Sequence, residues 1–280
     1  MFRFNFNVEN DSDVQDPNVV SSSDNEESKK DSSCILANEV VSPENSSLDQ
    51  YSFKPISVES SHFMIRNFET EGDKTQEDEF LSKFYSTCDV TPSVYEGGLK
   101  IWECTYDLLL YLIHNDIEFR NKTVLDLGCG CGILGIYAAQ KGAKTVHFHD
   151  YNIDVLKKFT IPNVTKNEIK SSTTFVAGDW SSFCDLDSIQ NTTYDYILSS
   201  ETLYNTASYS KLSGIFSNKL KKNGKILLAS KSYYFGVGGN TKQFLEYLDQ
   251  DQKFEWDIVW KNSEGVQREI INVTFRSVSS

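Results

Sequence analysis

From about residue 100 to the end of the chain, segments in which apolar residues recur at helical spacing alternate with short apolar runs of the kind found in strands. From Trp102 to Ile113 apolar residues recur at helical spacing, which predicts an amphipathic helix that ends near Asn115. Short apolar runs then alternate with helical segments. The predicted strands are 123–127, 144–149, 173–177, 194–199 and 225–229, and the predicted helices are 133–140, 153–159, 208–220 and 241–248.

The last two apolar runs, at 254–260 and 268–275, are separated by a short polar turn and predict a hairpin. Asn223-Gly224 is predicted to cap the helix before the fifth strand. Strands that alternate with helices are typical of an α/β fold. The sequence therefore predicts a mostly parallel sheet with helices on both faces and an antiparallel hairpin at one edge.

The first part of the chain lacks this pattern. Residues 1–50 are rich in Ser and Asn and contain 11 Asp or Glu against 3 Lys or Arg, which predicts a disordered acidic tail. Residues 51–94 form a weakly patterned extension, with a strand predicted near 62–68 and a helical turn near 76–85. The folded domain is predicted at 95–280.

Charge and composition exclude several classes of protein. The net charge of the 280 residues is -13, which disfavours binding to nucleic acid or anionic lipid and suits a basic protein partner. The longest apolar run, 108–113, is too short to span a membrane, and the first residues do not resemble a signal peptide. The six cysteines include no C-x-x-C pair, so we expect no metal site.

A glycine-rich turn, Gly128-Cys129-Gly130-Cys131-Gly132, follows the first strand of the alternating region, and Asp150 closes the second. Such a turn at the carboxyl end of a parallel strand lets a nucleoside cofactor approach backbone amides. Residues 130–135 also fit G-x-G-x-x-G, so a dinucleotide is one alternative. Asp126, directly before the turn, would repel a pyrophosphate and favours the cationic S-adenosylmethionine.

Two further features match a nucleoside site. Asp150 can accept hydrogen bonds from ribose hydroxyls with either cofactor. Gly178-Asp179-Trp180 follows the third strand and offers an acid and an aromatic ring for an adenine, although a plain turn with a core tryptophan is the alternative for Trp180.

Longer segments resemble a known family. Residues 126–132, with the later Asp150 and Gly178-Asp179-Trp180, resemble the Rossmann-like class I seven-strand methyltransferases. Residues 95–105, 199–205 and 233–239 are similar to the eukaryotic protein-histidine N-methyltransferases that modify a large-subunit ribosomal protein of the L3 type. The resemblance runs from about Val94 to the end of the chain.

The resemblance implies a set of cofactor-binding residues. Residues at the methionine end of the cofactor are Ile101, Trp102, Glu103, Cys104 and Thr105, and Gly128 and Gly130 would contact the cofactor through their backbone. Residues at the ribose are Asp150, Tyr151 and Asn152, and those at the adenine are Gly178, Asp179 and Trp180. Ser200 lies near the end of the fourth strand. With Asp126, these residues are the predicted cofactor site.

Glu201 and Tyr204 are the predicted catalytic pair, because they resemble the acid-x-x-aromatic motif of related protein methyltransferases. A neutral imidazole must present a free lone pair, so the enzyme chiefly positions the ring and selects its tautomer. Glu201 would accept the N–H of the non-attacking nitrogen while Tyr204 packs against the ring. The alternative is that Glu201 caps a helix and Tyr204 belongs to the core.

The resemblance thus implies an S-adenosylmethionine-dependent histidine methyltransferase that acts on an L3-type ribosomal protein in the cytoplasm and nucleus. We expect a monomer that does not bind nucleic acid or membranes. A lysine methyltransferase of the same fold is one alternative, since the acid-x-x-aromatic motif serves both activities. A cofactor-binding assembly factor for a ribosomal protein is another.

Overall fold

The computed structural model describes residues 35–42, 48–68, 96–262 and 265–277. Most of the predicted acidic tail, the helical turn predicted at 76–85 and residues 263–264 of the hairpin turn lie outside the described residues. None of the helices in the described part of the chain is long and apolar enough to cross a membrane.

Ten strands and six helices are described. The strands are β1 (Asn38–Glu39), β2 (Phe53–Val58), β3 (Ser61–Arg66), β4 (Thr123–Leu127), β5 (Thr145–Asp150), β6 (Ser172–Ala177), β7 (Tyr194–Ser200), β8 (Leu220–Lys231), β9 (Phe254–Asn262) and β10 (Arg268–Phe275). The helices are α1 (Glu103–His114), α2 (Ile133–Gln140), α3 (Ile153–Val155, a π-helical turn Leu156–Thr160, and Ile161–Lys166), α4 (Trp180–Phe183), α5 (Tyr209–Lys219) and α6 (Thr241–Asp251).

Eight strands form one sheet in the order β1-β6-β5-β4-β7-β8-β10-β9. The five central strands, β6 to β8, are parallel, and β10 and β9 add the antiparallel hairpin at one edge. Helices α1, α2 and α3 bury their apolar residues on one face of the sheet, and α4, α5 and α6 on the other. The predicted α/β architecture is confirmed.

Two boundaries differ from the sequence prediction. The helix predicted to end at residue 159 continues to Lys166, because the π-helical turn places Pro162 at the start of a new helical segment, where its missing N–H costs little. The predicted Asn223-Gly224 cap is wrong. Helix α5 ends at Lys219, and the two residues lie in an irregular part of β8 between the pairs Tyr194 with Leu220 and Tyr196 with Lys225.

The N-terminal boundary also moves. Residues 35–42 were assigned to the acidic tail, but Asn38–Glu39 pairs antiparallel with β6 and Val40 is buried in the core. The compact unit that contains the described residues starts at Ile35. Downstream, β2 and β3 form a separate hairpin, which is held by side-chain amides of α3: Asn163 accepts from the Arg66 N–H at 2.7 Å.

Candidate functional site

The predicted site residues meet at the carboxyl ends of the five parallel strands, where α/β sheets bind their ligands. Asp126 and the glycine turn follow β4, Asp150 and Asn152 follow β5, and Gly178 to Trp180 follow β6. Ser200 ends β7 and Glu201 follows it, and the start of α1 brings the segment 101–105 to the same edge. Among the described residues no group of His, Cys, Asp and Glu side chains could hold a metal ion.

The glycine turn is a backbone structure that other residues would not permit. Gly128, Gly130 and Gly132 have φ values of 70°, 50° and 77°. A Cβ atom on Gly130 would lie 3.0 Å from the carbonyl oxygen of Gly98, and one on Gly128 would lie 2.8 Å from Thr202 Cγ2. The turn therefore has no room for side chains at these positions.

Asp126 supports the turn from inside. Its Oδ2 accepts the Gly135 N–H at 2.8 Å, and the residue is 1% exposed. Burial raises the pKa of its carboxyl group to about 8, although the bond from Gly135 acts in the opposite direction. The prediction that the Asp126 charge faces the cofactor is corrected by this geometry, because the carboxyl group is buried and bonded to α2. The carboxyl group fastens the turn to α2.

Asp150 organises the end of β5. Its Oδ1 accepts the Asn152 N–H at 3.1 Å and its Oδ2 accepts the Gly130 N–H at 3.0 Å. Burial raises the pKa of this carboxyl group to about 6, against the effect of these backbone bonds. Each oxygen retains a second lone pair, so Asp150 can still accept the ribose hydroxyls that the sequence predicted. Tyr151, beside it, is half-buried.

The predicted adenine residues lie together, but their polar groups have protein partners. Asp179 accepts the Ser181 N–H at 2.8 Å as the cap of α4, and its other oxygen lies 2.8 Å from Lys211 Nζ. The Trp180 indole N–H donates to Nδ1 of His149 at 3.3 Å, and Nε2 of His149 donates to the Gly178 carbonyl at 2.9 Å. Burial lowers the pKa of His149 to about 4, so the ring is neutral.

The segment before α1 covers the ends of β4 and β5. Trp102 donates its indole N–H to the Gly97 carbonyl at 3.0 Å, and Ile101 packs half-buried on the core. A Cβ on Gly98 would lie 3.0 Å from Asp150 Oδ2. Thr105 and Ser200 share a hydrogen bond of 2.8 Å between their hydroxyls. The segment thus connects the predicted ribose site to the end of β7.

Glu201 is buried and incompletely paired. Its side chain is 7% exposed, and Oε1 lies 3.4 Å from both the Cys104 backbone nitrogen and Lys231 Nζ. Its Oε2 is buried and has no hydrogen-bond partner. The residue has a φ of 59°, a left-handed conformation that costs a non-glycine residue roughly 1–2 kcal/mol. Strain and unpaired polar atoms of this kind are typical of functional sites.

Tyr204 and Tyr234 form an aromatic wall beside Glu201. Their ring centroids are 6.3 Å apart and the planes meet at 70°. The Tyr204 hydroxyl donates to the Glu96 carboxylate, and burial raises the pKa of both tyrosines, that of Tyr204 also through Glu96 and that of Tyr234 through Glu201. The predicted packing of Tyr204 against a substrate ring stays a prediction.

Lys231 is the site residue that the sequence analysis missed. Its Nζ lies 3.0 Å from Glu103 Oε2 and 3.4 Å from Glu201 Oε1, and 5.2 Å from the centre of the Trp102 ring. Burial lowers the pKa of this lysine, but Glu201 and Glu103 outweigh it and the net shift is upward. The sequence feature that could have indicated Lys231 is its position. It ends the fifth parallel strand, two residues before the aromatic segment 233–235.

Comparison with known proteins identifies the family. A sequence profile described as a lysine methyltransferase matches residues 92–251. The chain is 40% identical over 249 residues to "Histidine protein methyltransferase 1 homolog" of Bos taurus, covering 79% of this chain and 65% of that one. It is 31% identical to "Histidine protein methyltransferase 1" of Schizosaccharomyces pombe, covering 72% and 71%. The chain belongs to the protein methyltransferase family that this profile and these relatives define. It spans 61% to 65% of the length of the mammalian relatives.

Solved structures agree on the fold. A magnesium protoporphyrin IX methyltransferase from Synechocystis with bound S-adenosylhomocysteine matches with a TM-score of 0.50 at 14% identity, over 72% of this chain and 95% of that one. A putative methyltransferase from Streptococcus mutans matches with a TM-score of 0.54 at 13% identity, over 84% and 57%. The fold is that of a class I methyltransferase.

The family takes S-adenosylmethionine as its cofactor, and the described residues suit it. Asp150 offers lone pairs at the predicted ribose position, and its contacts with the Gly130 N–H and the Asn152 N–H hold it there. The individual contacts to the cofactor stay predictions.

Proposed function

We propose that this protein transfers a methyl group from S-adenosylmethionine to a histidine imidazole of a protein, with an L3-type large-subunit ribosomal protein as the substrate. The observation that carries the proposal is Oε2 of Glu201, a buried carboxylate oxygen without a partner at the end of β7. An unpaired buried acceptor is costly unless a ligand supplies the missing donor. The names of the relatives at 40% and 31% identity support histidine as the target.

The cofactor, when bound, supplies an activated methyl group on a cationic sulfur. The lone pair of one imidazole nitrogen forms the new N–C bond while the S–C bond breaks, which leaves S-adenosylhomocysteine and a methylated imidazolium that then loses a proton to water. Glu201 holds the N–H of the other nitrogen through Oε2 and thereby fixes the tautomer that attacks. Tyr204 and Tyr234 flank the ring.

The charge of the chain supports a basic ribosomal protein as partner. With 40 acidic and 27 basic residues, the enzyme attracts a positively charged substrate over long distances and speeds encounter. We also propose that the enzyme is a monomer that acts in the cytoplasm and nucleus, where ribosomal proteins are made and assembled. Imaging of the tagged full-length protein tests the location.

The second candidate activity is lysine methylation, because the matching family profile is described as a lysine methyltransferase. Mass spectrometry of the L3-type protein from cells with and without this gene separates the candidates. Loss of a methylhistidine supports the proposal, and loss of a methyllysine supports the second candidate. Loss of neither, with a defect in ribosome assembly, would favour a cofactor-binding assembly factor.

A further inference from the structure

Lys231 has no role in the mechanism above, yet it is built into the acceptor site. Its side chain is 18% exposed and reaches from the end of β8 to Glu201, directly after β7, and to Glu103 on α1. The ammonium also lies 5.2 Å from the Trp102 ring centre and 5.9 Å from that of Tyr234, distances at which a cation is attracted to an aromatic face. Four residues, from the start of α1 and from the segments that follow β7 and β8, therefore surround one ammonium group.

This ammonium determines what remains available on Glu201. Lys231 and the Cys104 N–H both contact Oε1, at 3.4 Å each. Among the described residues, Oε2 of Glu201 is the one buried carboxylate oxygen without a partner. The two tyrosine hydroxyls of the wall already have partners, Glu96 for Tyr204 and Ser230 for Tyr234. Within the described part of the chain, the site thus offers one buried carboxylate oxygen that no protein donor contacts.

One acceptor matches the hydrogen-bond donors of imidazole better than those of lysine. A neutral imidazole carries one N–H, on the nitrogen that does not attack, whereas an ammonium carries three and a neutral amine two. A target lysine is also protonated at neutral pH when it first binds. Its charge would then enter a site that already holds Lys231, and like charges at such short range repel.

We propose that Lys231 sets the preference of this enzyme for histidine over lysine. The ammonium occupies Oε1 of Glu201, leaves Oε2 for a single donor, and repels a second cation. This inference rests on the proposed function, since it takes histidine as the acceptor. Lys231 acts through Glu201 and is a specificity-determining residue rather than a catalytic one.

The test compares two substrates: a recombinant L3-type protein, and its variant in which the methylated histidine is replaced by lysine. Full-length enzyme is assayed as wild type, Lys231→Met, Lys231→Arg and Lys221→Met. Lys221 is a matched control because it forms a 2.8 Å ion pair with Asp195 at the opposite end of the sheet. Labelled S-adenosylmethionine gives kcat/KM for each substrate, and calorimetry gives the affinity for S-adenosylhomocysteine.

For Lys231→Met we expect kcat/KM on histidine to fall about 10-fold and the lysine-to-histidine ratio to rise roughly 10- to 100-fold. Lys231→Arg keeps the charge and should keep the wild-type ratio, as should Lys221→Met. Affinity for S-adenosylhomocysteine should change less than about threefold in every variant. If the melting temperature of Lys231→Met collapses, the ratio is measured in Lys231→Gln.

An unchanged ratio in Lys231→Met, with both substrates slowed equally, would overturn the inference and leave Lys231 a structural residue. A parallel loss of S-adenosylhomocysteine binding would also overturn it, because Lys231 would then serve the cofactor site. Wild-type enzyme that methylates the lysine substrate but not the histidine one would overturn the proposed function itself, and this inference with it.

Discussion

The two halves of the site differ in how their polar groups are paired. In the cofactor half, after β4 and β5, both oxygens of Asp150 and the Oδ2 of Asp126 accept backbone N–H groups at 2.8 to 3.1 Å. In the acceptor half, after β7 and β8, Glu201 combines a left-handed φ, two long contacts on Oε1 and an unpaired Oε2. In the first half each of these three oxygens has a backbone donor, whereas in the second half Oε2 of Glu201 has none.

The proposed function explains this difference by what each half would bind. A cofactor that is the same in every turnover can be received by a preorganised backbone turn, so the protein can complete that turn beforehand. The side chain that receives the methyl group must enter and leave the site. Its N–H therefore needs a hydrogen-bond acceptor that no group of the protein already occupies. An unpaired buried oxygen at the acceptor position costs stability in the free enzyme and is compensated when substrate binds.

The largest effect is expected from a side chain in the glycine turn. In Gly130→Arg, a Cβ would lie 3.0 Å from the Gly98 carbonyl, and φ is 50°, so the turn cannot keep its shape. Binding of S-adenosylhomocysteine should fall beyond calorimetric detection while circular dichroism stays that of a folded protein. Gly214→Arg is the control, because no atom lies within 4 Å of a Cβ there. Wild-type affinity in Gly130→Arg would remove the turn from the cofactor site.

A substitution in the acceptor half should slow methyl transfer rather than prevent cofactor binding. Glu201→Gln keeps the shape but removes the charge, and its amide can present a donor where the imidazole N–H needs an acceptor. We expect single-turnover transfer to slow by roughly 10- to 1,000-fold, with cofactor affinity little altered. Glu269→Gln is the matched control, since Glu269 is also buried and lies 3.0 Å from a lysine, Lys261. Unchanged turnover in Glu201→Gln would contradict its role.

Protonation of His149 should weaken the folded state in acid, an effect opposite in direction to those of Asp126 and Asp150, whose pKa values are raised. The pKa of His149 is lowered to about 4 in the folded protein, from an ordinary value near 6.5, because burial disfavours its charged form. The stability that follows is fully present above pH 6.5 and is lost as pH falls through 4, by at most roughly 3 kcal/mol. Urea unfolding of wild type and of His149→Gln between pH 4 and 7 gives the free energy of unfolding of each. The difference, wild type minus variant, should rise with pH, which isolates the contribution of His149 from those of the carboxyl groups. A difference that stays constant over this range would contradict the prediction.

The smallest effects concern the N-terminal segment, and they test where the domain begins. Deletion of residues 1–42 removes β1, the buried Val40 and the contact from the Asp179 N–H to the Ile35 carbonyl at 2.8 Å. We expect a loss of roughly 2 kcal/mol in the free energy of unfolding. Deletion of residues 1–34 should leave both unfolding and methyl transfer nearly unchanged. Equal stability of the two deletions would mean that β1 contributes nothing.

Much of the cofactor half could be predicted from the sequence, because its determinants are local. The strand 123–127, the helix 133–140 and the glycines between them are adjacent in the chain, and their bounds match the structure. Turn chemistry and apolar periodicity act over a few residues and need no knowledge of distant contacts. The family resemblance is confirmed by the relatives. The catalytic role that it implies for Glu201 stays a prediction.

Other features depended on residues that meet only in the folded chain. Composition placed residues 35–42 in a tail, but pairing with β6 and burial of Val40 hold them on the sheet. The direction of the Asp126 carboxyl group was decided by the helix N–H that it meets, which no charge argument could supply.

The sequence by itself determined the order of strands and helices, the glycine turn and the family, since each is written in neighbouring residues. Only the tertiary structure decided the environment of Glu201. Its contact with the Cys104 N–H joins residues 97 positions apart, and Lys231 contacts it from the end of β8. Whether a buried carboxylate is paired or unpaired depends on every group that the fold brings around it, and electrostatic interactions depend on those distances.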